Sequence, residues 1–442
     1  MSKFMKALKR TTMLGVTGAL ALSLAACTGG SKESSSDSKN KDSKNSDSPV
    51  TIIVTNAKGE IDAQFKEAAQ KFMDTNTDIK VEVNSAAVGD TLNVYDKLTA
   101  SGKVVTLAMF DPYAALNKYK DVGTDISNEK WIAETSSALK NSDGQVVGFP
   151  FAVEGMGLVY NQKVLDNAVG GTFDPFSINT QDKLKELLDK VKASGVKSPV
   201  AYQTEAWSVG NHYSSLFLNQ EEDPSTLVDQ LKAGSVNLKE NATWNGYYST
   251  LELLTSEKYN EFGKRPIGQY YDAAHLAVGK GESAILFNGN WAYDSLKAVA
   301  GDNFGFMPIA VDNDSNNPLN NKIAVGPTQV LVINKKASEA EQEAAKKFLD
   351  WLVYDEAGQD FVVNKAQVIS AFKNNPNTVT NPLGVSIADA IANDRTMPFA
   401  TNYINAADWP TTIGPEVQKY IAKGQSKEDL AKYIENYFKN QK

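Results

Sequence analysis

Charged and aromatic side chains follow four of the strands that the sequence predicts. The residues just beyond these strands are Lys58, Asp111, Glu205 with Trp207, and Asn290 with Trp291. Carboxylates, amides and ammonium groups exchange hydrogen bonds with polar groups, and indole rings offer flat apolar faces. Ligands of open α/β sheets bind outside the carboxyl ends of strands. The pattern is therefore compatible with a ligand-binding cleft at these strand ends.

No catalytic signature accompanies these residues. The chain has no Walker loop, HExxH, GxSxG, CxxC or dinucleotide-binding GxGxxG motif. Only two histidines are present, His212 and His275, which argues against a His-rich metal site. A carboxylate pair for glycoside hydrolysis stays open, because Glu154 and Glu205 are available and sequence spacing does not give their separation.

Glu154 is the most informative acid, because it interrupts the apolar run 149–159. A carboxylate in such a run must be paired, hydrogen-bonded or open to a cleft. Trp409 is less informative, because an isolated tryptophan is usually a half-buried packing residue. His212 follows Trp207 closely, and it either lines the cleft or packs at the start of a helix.

The elements that must position these residues alternate between strand and helix. Short β-branched or alternating runs at 49–55, 79–83 and 104–110 predict strands, and apolar residues at helical spacing from Ile61 to Phe72 predict a helix between the first two. Further strands are expected at 199–202, 283–287 and 325–333. Ser338 and Glu341 form a capping-box pattern that opens a helix through Leu352. The order predicts an α/β fold with a largely parallel sheet.

Composition excludes some partners. The 442 residues include 45 Lys plus Arg and 53 Asp plus Glu, with 42% hydrophobic and 22% charged residues. The first 26 residues hold four of the basic residues and no acid, so a chain without them would carry a net charge of −12. This argues against nucleic acid and against broad binding to anionic lipid. A single cysteine excludes an intramolecular disulfide.

The N-terminus has the pattern of an export signal. Lys3, Lys6, Lys9 and Arg10 precede an apolar segment at 13–26, which is too short to span a membrane. Leu24-Ala25-Ala26-Cys27 resembles the lipobox of bacterial lipoproteins, which implies a signal peptide at 1–26 and diacylated Cys27. Residues 27–49 contain a polar stretch that predicts a disordered tether.

Four further stretches carry a resemblance over the rest of the chain. They are 148–161, 279–292, 326–333 with the following helix, and 397–430. In this order they resemble the sugar-binding lipoproteins of ABC importers, within the maltodextrin- and multiple-sugar-binding group of extracellular solute-binding proteins. The resemblance implies a two-lobe periplasmic-binding-protein-like α/β fold with a cleft between the lobes and several hinge crossings. Lobe 1 would comprise 50–152 with 324–372, and lobe 2 would comprise 157–321 with 376–442.

The resemblance also implies which residues touch the ligand. The matching positions are Lys58, Asp111, Glu154, Glu205, Trp207, Asn290, Trp291 and Trp409. These side chains suit a pyranose, which has apolar C–H faces and a rim of hydroxyls. Ala57 and Pro112 depart from the maltodextrin pattern, which has an acid and an arginine there. Maltose-like specificity is therefore not implied.

The resemblance implies a non-enzymatic receptor without cofactors, which binds an oligosaccharide and delivers it to the permease subunits of an ABC transporter. It would be a monomer held on the outer face of the cell membrane by its lipid anchor alone. Two alternatives are a tethered glycosidase or lyase that uses Glu154 with Asp111 or Glu205, and a glycan sensor that takes no part in transport. A third alternative is a receptor for peptides or polyamines. A neutral aromatic cleft argues against polyamines, whereas it fits apolar peptides less badly.

Overall fold

The computed structural model describes residues 48–86, 93–221, 223–260, 271–301, 303–405 and 408–441. The expected signal peptide, Cys27 and most of the tether lie outside these residues. Nine strands are described: β1 (Val50–Asn56), β2 (Ile79–Ser85), β3 (Leu107–Phe110), β4 (Leu139–Lys140), β5 (Val146–Asn161), β6 (Ile285–Gly289), β7 (Phe304–Met307), β8 (Ile323–Ile333) and β9 (Thr396–Met397).

Helices surround the strands. In the first half they are α1 (Asp62–Thr75), α2 (Asn93–Ala100), α3 (Pro112–Leu116), α4 (Gln162–Val169), α5 (Gln181–Ala193), α6 (Pro224–Lys232) and α7 (Ala242–Thr255). In the second half they are α8 (Tyr271–Gly279), α9 (Tyr293–Ala300), α10 (Glu339–Tyr354), α11 (Glu356–Asp360), α12 (Pro382–Ala392), α13 (Trp409–Ile421) and α14 (Lys427–Lys439). The capping box of Ser338 and Glu341 is present at the start of α10, as predicted.

The sheet is mixed, which corrects the expectation of a largely parallel one. Strand β1 runs parallel to β2 and β3, as the strand–helix–strand pattern predicts. In contrast, β8 is antiparallel to both β3 and β5, and β5 is antiparallel to β6 and β7. The reason is that the two long strands, β5 and β8, run in opposite directions through the sheet. The strand expected at 199–202 is also wrong, since only Val200 forms an isolated bridge, with Ile285.

Two large hydrophobic cores flank the middle of β5 and β8. The first core includes Phe65, Phe72, Phe149, Leu331 and Phe348. The second core includes Leu158, Tyr202, Trp244, Phe287 and Trp409. Each long strand contributes residues to both cores.

Strands β5 and β8 thus pass from one core to the other. Along β5, Phe151 belongs to the first core and Met156 to the second. Residues 153–155 of β5 pair there with 325–327 of β8, and Glu154 lies opposite Gly326. We call these two paired segments the strand crossing.

Candidate functional site

The loop after β1 brings Lys58 to the strand crossing. The Asn56 side chain fixes this loop, because its amide donates to the Lys58 carbonyl and accepts from the Lys58 N–H, both at 2.9 Å. The Lys58 residue is 7% exposed. Its Nζ lies 2.9 Å from Glu154 Oε1 and 2.7 Å from Glu60 Oε1. A buried ammonium group is therefore held between two carboxylates.

Both carboxylate oxygens of Glu154 have partners. Oε1 accepts from Lys58, and the hydroxyl of Thr328 on β8 donates to Oε2. Burial alone lowers the pKa of Lys58, but the charges of Glu154 and Glu60 outweigh it and hold that pKa above its usual value. Lys58 is thus a cation at any physiological pH. We call Lys58, Glu60, Glu154 and Thr328 the charge network.

Asn290 supports the crossing from the side of β6. Its Oδ1 accepts a hydrogen bond from the Gly155 N–H at 3.0 Å, and the residue is 5% exposed. A Cβ at Gly155 would lie 2.7 Å from the Ile387 side chain, so the backbone there packs without room for a larger residue. Because Trp291 follows Asn290 in the chain, this hydrogen bond also places Trp291 close to the strand crossing.

Five rings lie together beside the crossing: Trp207, His212, Tyr271, Trp291 and Phe399. We call them the aromatic cluster. The Trp207 ring centroid lies 5.5 Å from that of His212 and 5.8 Å from that of Tyr271. The His212 centroid lies 5.2 Å from Trp291 and 6.1 Å from Phe399. The two tryptophans keep part of their surface exposed, so they can offer ring faces to a ligand.

The aromatic cluster lies beside the charge network. A Cβ at Gly326, which faces Glu154, would lie 3.0 Å from Phe399 Cβ. Burial raises the pKa of Tyr271 to about 12, and the nearby charge of Glu60 contributes. Burial lowers the pKa of His212 to about 4, so this ring is neutral at pH 7. Charged hydrogen-bonding groups and apolar rings therefore meet at one place.

Two further predicted site residues, Asp111 and Glu205, bond to the backbone that follows them in the chain. Asp111 is the N-cap of α3, and its carboxylate accepts from the Ala114 N–H at 2.8 Å. Burial raises the pKa of Asp111 although backbone hydrogen bonds oppose this. Burial, with the charges of Asp111 and Asp408, raises the pKa of Tyr113. Glu205 is 4% exposed, and its carbonyl accepts from the N–H groups of Ser208 and Val209.

Trp409 has a different environment from Trp207 and Trp291. Its residue is 0% exposed, and its Nε1 donates to Ser214 Oγ at 2.9 Å. Its ring packs against Tyr437 and Phe438 with centroid distances of 4.9 and 5.2 Å. In this structure Trp409 is a core residue, and no face of its ring is open for stacking on a ligand.

These contacts bring several of the residues predicted from the sequence together. Lys58 and Glu154 touch directly, Asn290 joins them through Gly155, and His212 connects Trp207 with Trp291. Sequence reasoning missed Glu60, Thr328 and Phe399, although Glu60 stands only two residues after Lys58. Thr328 and Phe399 come close only because β8 and the segment after α12 reach the crossing, which no local pattern reveals.

Two features are absent from the ranges that the structure describes. Within those ranges, no group of three or more His, Cys, Asp or Glu side chains is arranged to hold a metal ion. No helix there is both long and apolar enough to span a bilayer.

Comparison with known proteins identifies the family. Residues 67–380 match the family described as bacterial extracellular solute-binding protein. A multiple sugar-binding protein of Streptococcus mutans is 22% identical over 310 residues, which are 66% of this chain and 67% of that protein.

Solved structures share the fold. A chitin oligosaccharide binding protein has a TM-score of 0.70 at 18% identity, covering 88% of this chain and 98% of its own. The solute-binding protein RafE in complex with raffinose also has a TM-score of 0.70, at 17% identity over 88% of this chain and 99% of its own. The expected two-lobe periplasmic-binding-protein-like α/β fold is thereby confirmed. With 314 residues matched, the chain belongs to the bacterial extracellular solute-binding protein family.

Proposed function

We propose that the chain is an oligosaccharide receptor of an ABC importer, which captures a sugar between two closing lobes and delivers it to a membrane permease. The observation that carries this proposal is the meeting of the charge network with the aromatic cluster at the strand crossing. Relatives and structural neighbours named for multiple sugars, chitin oligosaccharide, raffinose and maltose support a sugar as the ligand.

The lobes in this proposal are 50–152 with 324–372 and 157–321 with 376–442. The membership of the two large cores supports this division. Described members of the first core lie at 52–152 and 331–372, and most of the second core lies at 156–311 and 397–438. Ala324 is the exception, since it begins β8 but packs in the second core.

The proposed ligand contacts divide by chemistry. Lys58, Glu154, Asp111 and Glu205 bond the hydroxyl rim, with Asn290 supporting the strand crossing. Trp207 and Trp291 stack on the apolar faces, which is the geometry that indole rings favour with flat apolar partners. Glu60 joins the rim contacts because its side chain is 42% exposed beside Lys58. We assign Trp409 to the core because its ring is enclosed.

A binding role suits Glu154 better than catalysis. A general acid must exchange its proton with the substrate during the reaction. Glu154 instead keeps both oxygens bonded, one to an ammonium group and one to a hydroxyl. Such a carboxylate is a fixed acceptor, which argues against the alternative of a glycosidase or lyase at this position.

The proposed location is the outer face of the cell membrane. The family is extracellular. We propose that cleavage after Ala26 leaves a diacylated Cys27 as the N-terminus, and that 27–49 tethers the receptor. Two acyl chains on the sulfur hold a protein firmly, whereas one gives marginal binding. We also propose that the receptor works as a monomer and contacts the permease subunits directly.

The full chain in detergent tests the proposal. Its unfolding would be measured with maltodextrins and with raffinose-type, fructo-, isomalto- and xylo-oligosaccharides. A specific sugar at 100 times its Kd should add about 2.7 kcal/mol to the free energy of unfolding. Small-angle scattering should show a smaller radius of gyration with that sugar. No stabilisation by any of these sugars would reject an oligosaccharide receptor, and release of new reducing ends would select the enzyme.

A further inference from the structure

His212 occupies the centre of the aromatic cluster. Its ring touches Trp207 and Trp291, which come from different parts of the chain. Trp207 immediately precedes the π-helical turn Ser208–Tyr213, whereas Trp291 follows β6. A single side chain therefore contacts both tryptophans that the proposed function assigns to sugar stacking.

The backbone fixes where the histidine ring lies. The turn Ser208–Tyr213 packs so tightly on α13 that a Cβ at Gly210 would lie 2.2 Å from the Gly414 Cα. The Ser214 hydroxyl donates to the Gly210 carbonyl and accepts from Trp409 Nε1. The turn that carries His212 is thus tied to a core helix, so the ring has a rigid base.

The angles between the rings show how the histidine supports the tryptophans. The His212 plane is inclined by 77° to Trp207 and by 56° to Trp291. Such edge-to-face and tilted contacts are favourable for aromatic pairs, and both tryptophans still keep part of their surface exposed. We propose that His212 is a positioning residue of the sugar site, which holds Trp207 and Trp291 at fixed angles before the ligand arrives. This inference rests on the proposed function.

Fixing the two rings in advance raises affinity because less side-chain freedom is lost on binding. The shape of the ring carries this role. His212→Phe keeps a flat ring, and His212→Gln keeps polarity but loses the ring. The phenylalanine variant should therefore retain the geometry of the tryptophans, and the glutamine variant should lose it.

The first measurement needs no ligand. The full chain labelled with 5-fluorotryptophan gives one ¹⁹F signal for each of its six tryptophans, assigned by Trp→Phe exchange. We expect His212→Gln to shift and broaden the signals of Trp207 and Trp291, while Trp131, Trp244 and Trp351 stay unchanged as internal controls. His212→Phe should narrow the two signals again. Unchanged Trp207 and Trp291 signals in His212→Gln would overturn the proposal.

The second measurement is a double-mutant cycle with the tightest binder among raffinose, stachyose and maltose. We expect His212→Gln to weaken binding about five- to tenfold and His212→Phe about twofold or less. In a Trp291→Ala background the loss should be at least threefold smaller. An equal loss in both backgrounds would overturn the proposal. If none of these three sugars binds, the cycle uses the tightest binder of the wider panel named above. If that panel also fails, the proposed function fails, and the fluorine signals still decide whether His212 positions the two rings.

Discussion

Lys58 and Glu154 stand 96 residues apart in the chain, and their side chains form a buried ion pair of 2.9 Å at the strand crossing. Such a pair contributes little net stability, because the lost hydration of both groups offsets their attraction. It does fix geometry, since removal of one partner leaves the other charge buried. The pair therefore ties the loop after β1 to β5.

Glu154→Gln should weaken sugar binding about ten- to a hundredfold, because a hydrogen bond to a charged group contributes about 1.5–3 kcal/mol. Titration calorimetry measures the change. Glu60→Gln is the matched control, because it also removes a carboxylate from Lys58 but at a site with a 42% exposed side chain. We expect it to cost only a few-fold in affinity. Normal binding by Glu154→Gln would make that residue purely structural.

Trp291→Ala should affect sugar binding, whereas Trp409→Ala should affect the stability of the fold. Trp291 is partly exposed, so its loss should weaken sugar binding at least several-fold while the chain stays folded. Trp409 is 0% exposed, so its loss should lower the free energy of unfolding by about 3–5 kcal/mol. Denaturant unfolding and calorimetry on both variants separate the two effects. Stability close to wild type in Trp409→Ala would contradict its place in the core.

Stability should fall as the pH decreases from 6.5 to about 4 because of His212. Above pH 6.5 the ring is neutral in both the folded and the unfolded chain, so it contributes nothing to the pH dependence. Below 6.5 the unfolded chain binds the proton first, since burial lowers the pKa of the folded ring to about 4. The ring is not fully enclosed, so we expect a loss of about 1–2 kcal/mol.

His212→Phe provides the comparison for this pH effect. Urea unfolding gives the free energy of unfolding of both proteins at pH 7 and at pH 5. The other titrating groups contribute equally to both proteins, so the difference between the two pH dependences is due to His212. The wild type should lose more stability than the variant over this interval. Parallel pH dependences would show that His212 titrates normally.

Gly155→Ala should lower the free energy of unfolding by about 1–3 kcal/mol, because the new methyl group overpacks the crossing against Ile387. Ile387→Val in the same chain removes one of the crowded carbons and should restore part of the loss. Gly171→Ala is the control, because a Cβ there meets no atom within 4 Å. Thermal unfolding compares the stability of the three variants. If Gly155→Ala is as stable as the wild type, the strand crossing accommodates the added methyl group without cost.

Cys27→Ser should leave the protein unprocessed or release it from the membrane, because in the proposed function the acyl chains on that sulfur are its only strong attachment. Fractionation of cells grown with labelled fatty acid measures both label and location. Ser31→Ala, in the same polar stretch, should behave as wild type. Label on the Cys27→Ser protein would contradict the proposed anchor.

Local signals predicted several individual elements but not how the strands pair. β1 and α1 follow from a β-branched run and from apolar residues at helical spacing, and Ser338 with Glu341 marks the start of α10. The antiparallel course of β8 was not predictable, because its partners β3 and β5 lie far away in the chain. Strand pairing over such separations depends on tertiary packing, which no window of sequence contains.

The site was predicted only in part for the same reason. Glu154 was recognisable because a charge in an apolar run needs a partner. Its partner Thr328 was not, since a threonine in a predicted strand is ordinary. Trp207 and Trp409 have the same side chain, yet one is partly exposed and the other is enclosed. Sequence alone does not separate these two environments.

The position of the strand crossing also determines how far a local movement would be amplified along β5. β5 has 16 residues, so it reaches about 50 Å when extended, and Glu154 lies near its middle. In the proposed function, a ligand bound at the crossing lies close to the axis about which the lobes close, where atoms move least. A small rotation there becomes a large displacement at the far ends of the two cores. We therefore expect other molecules to recognise the sugar-bound state at surfaces that are remote from the sugar.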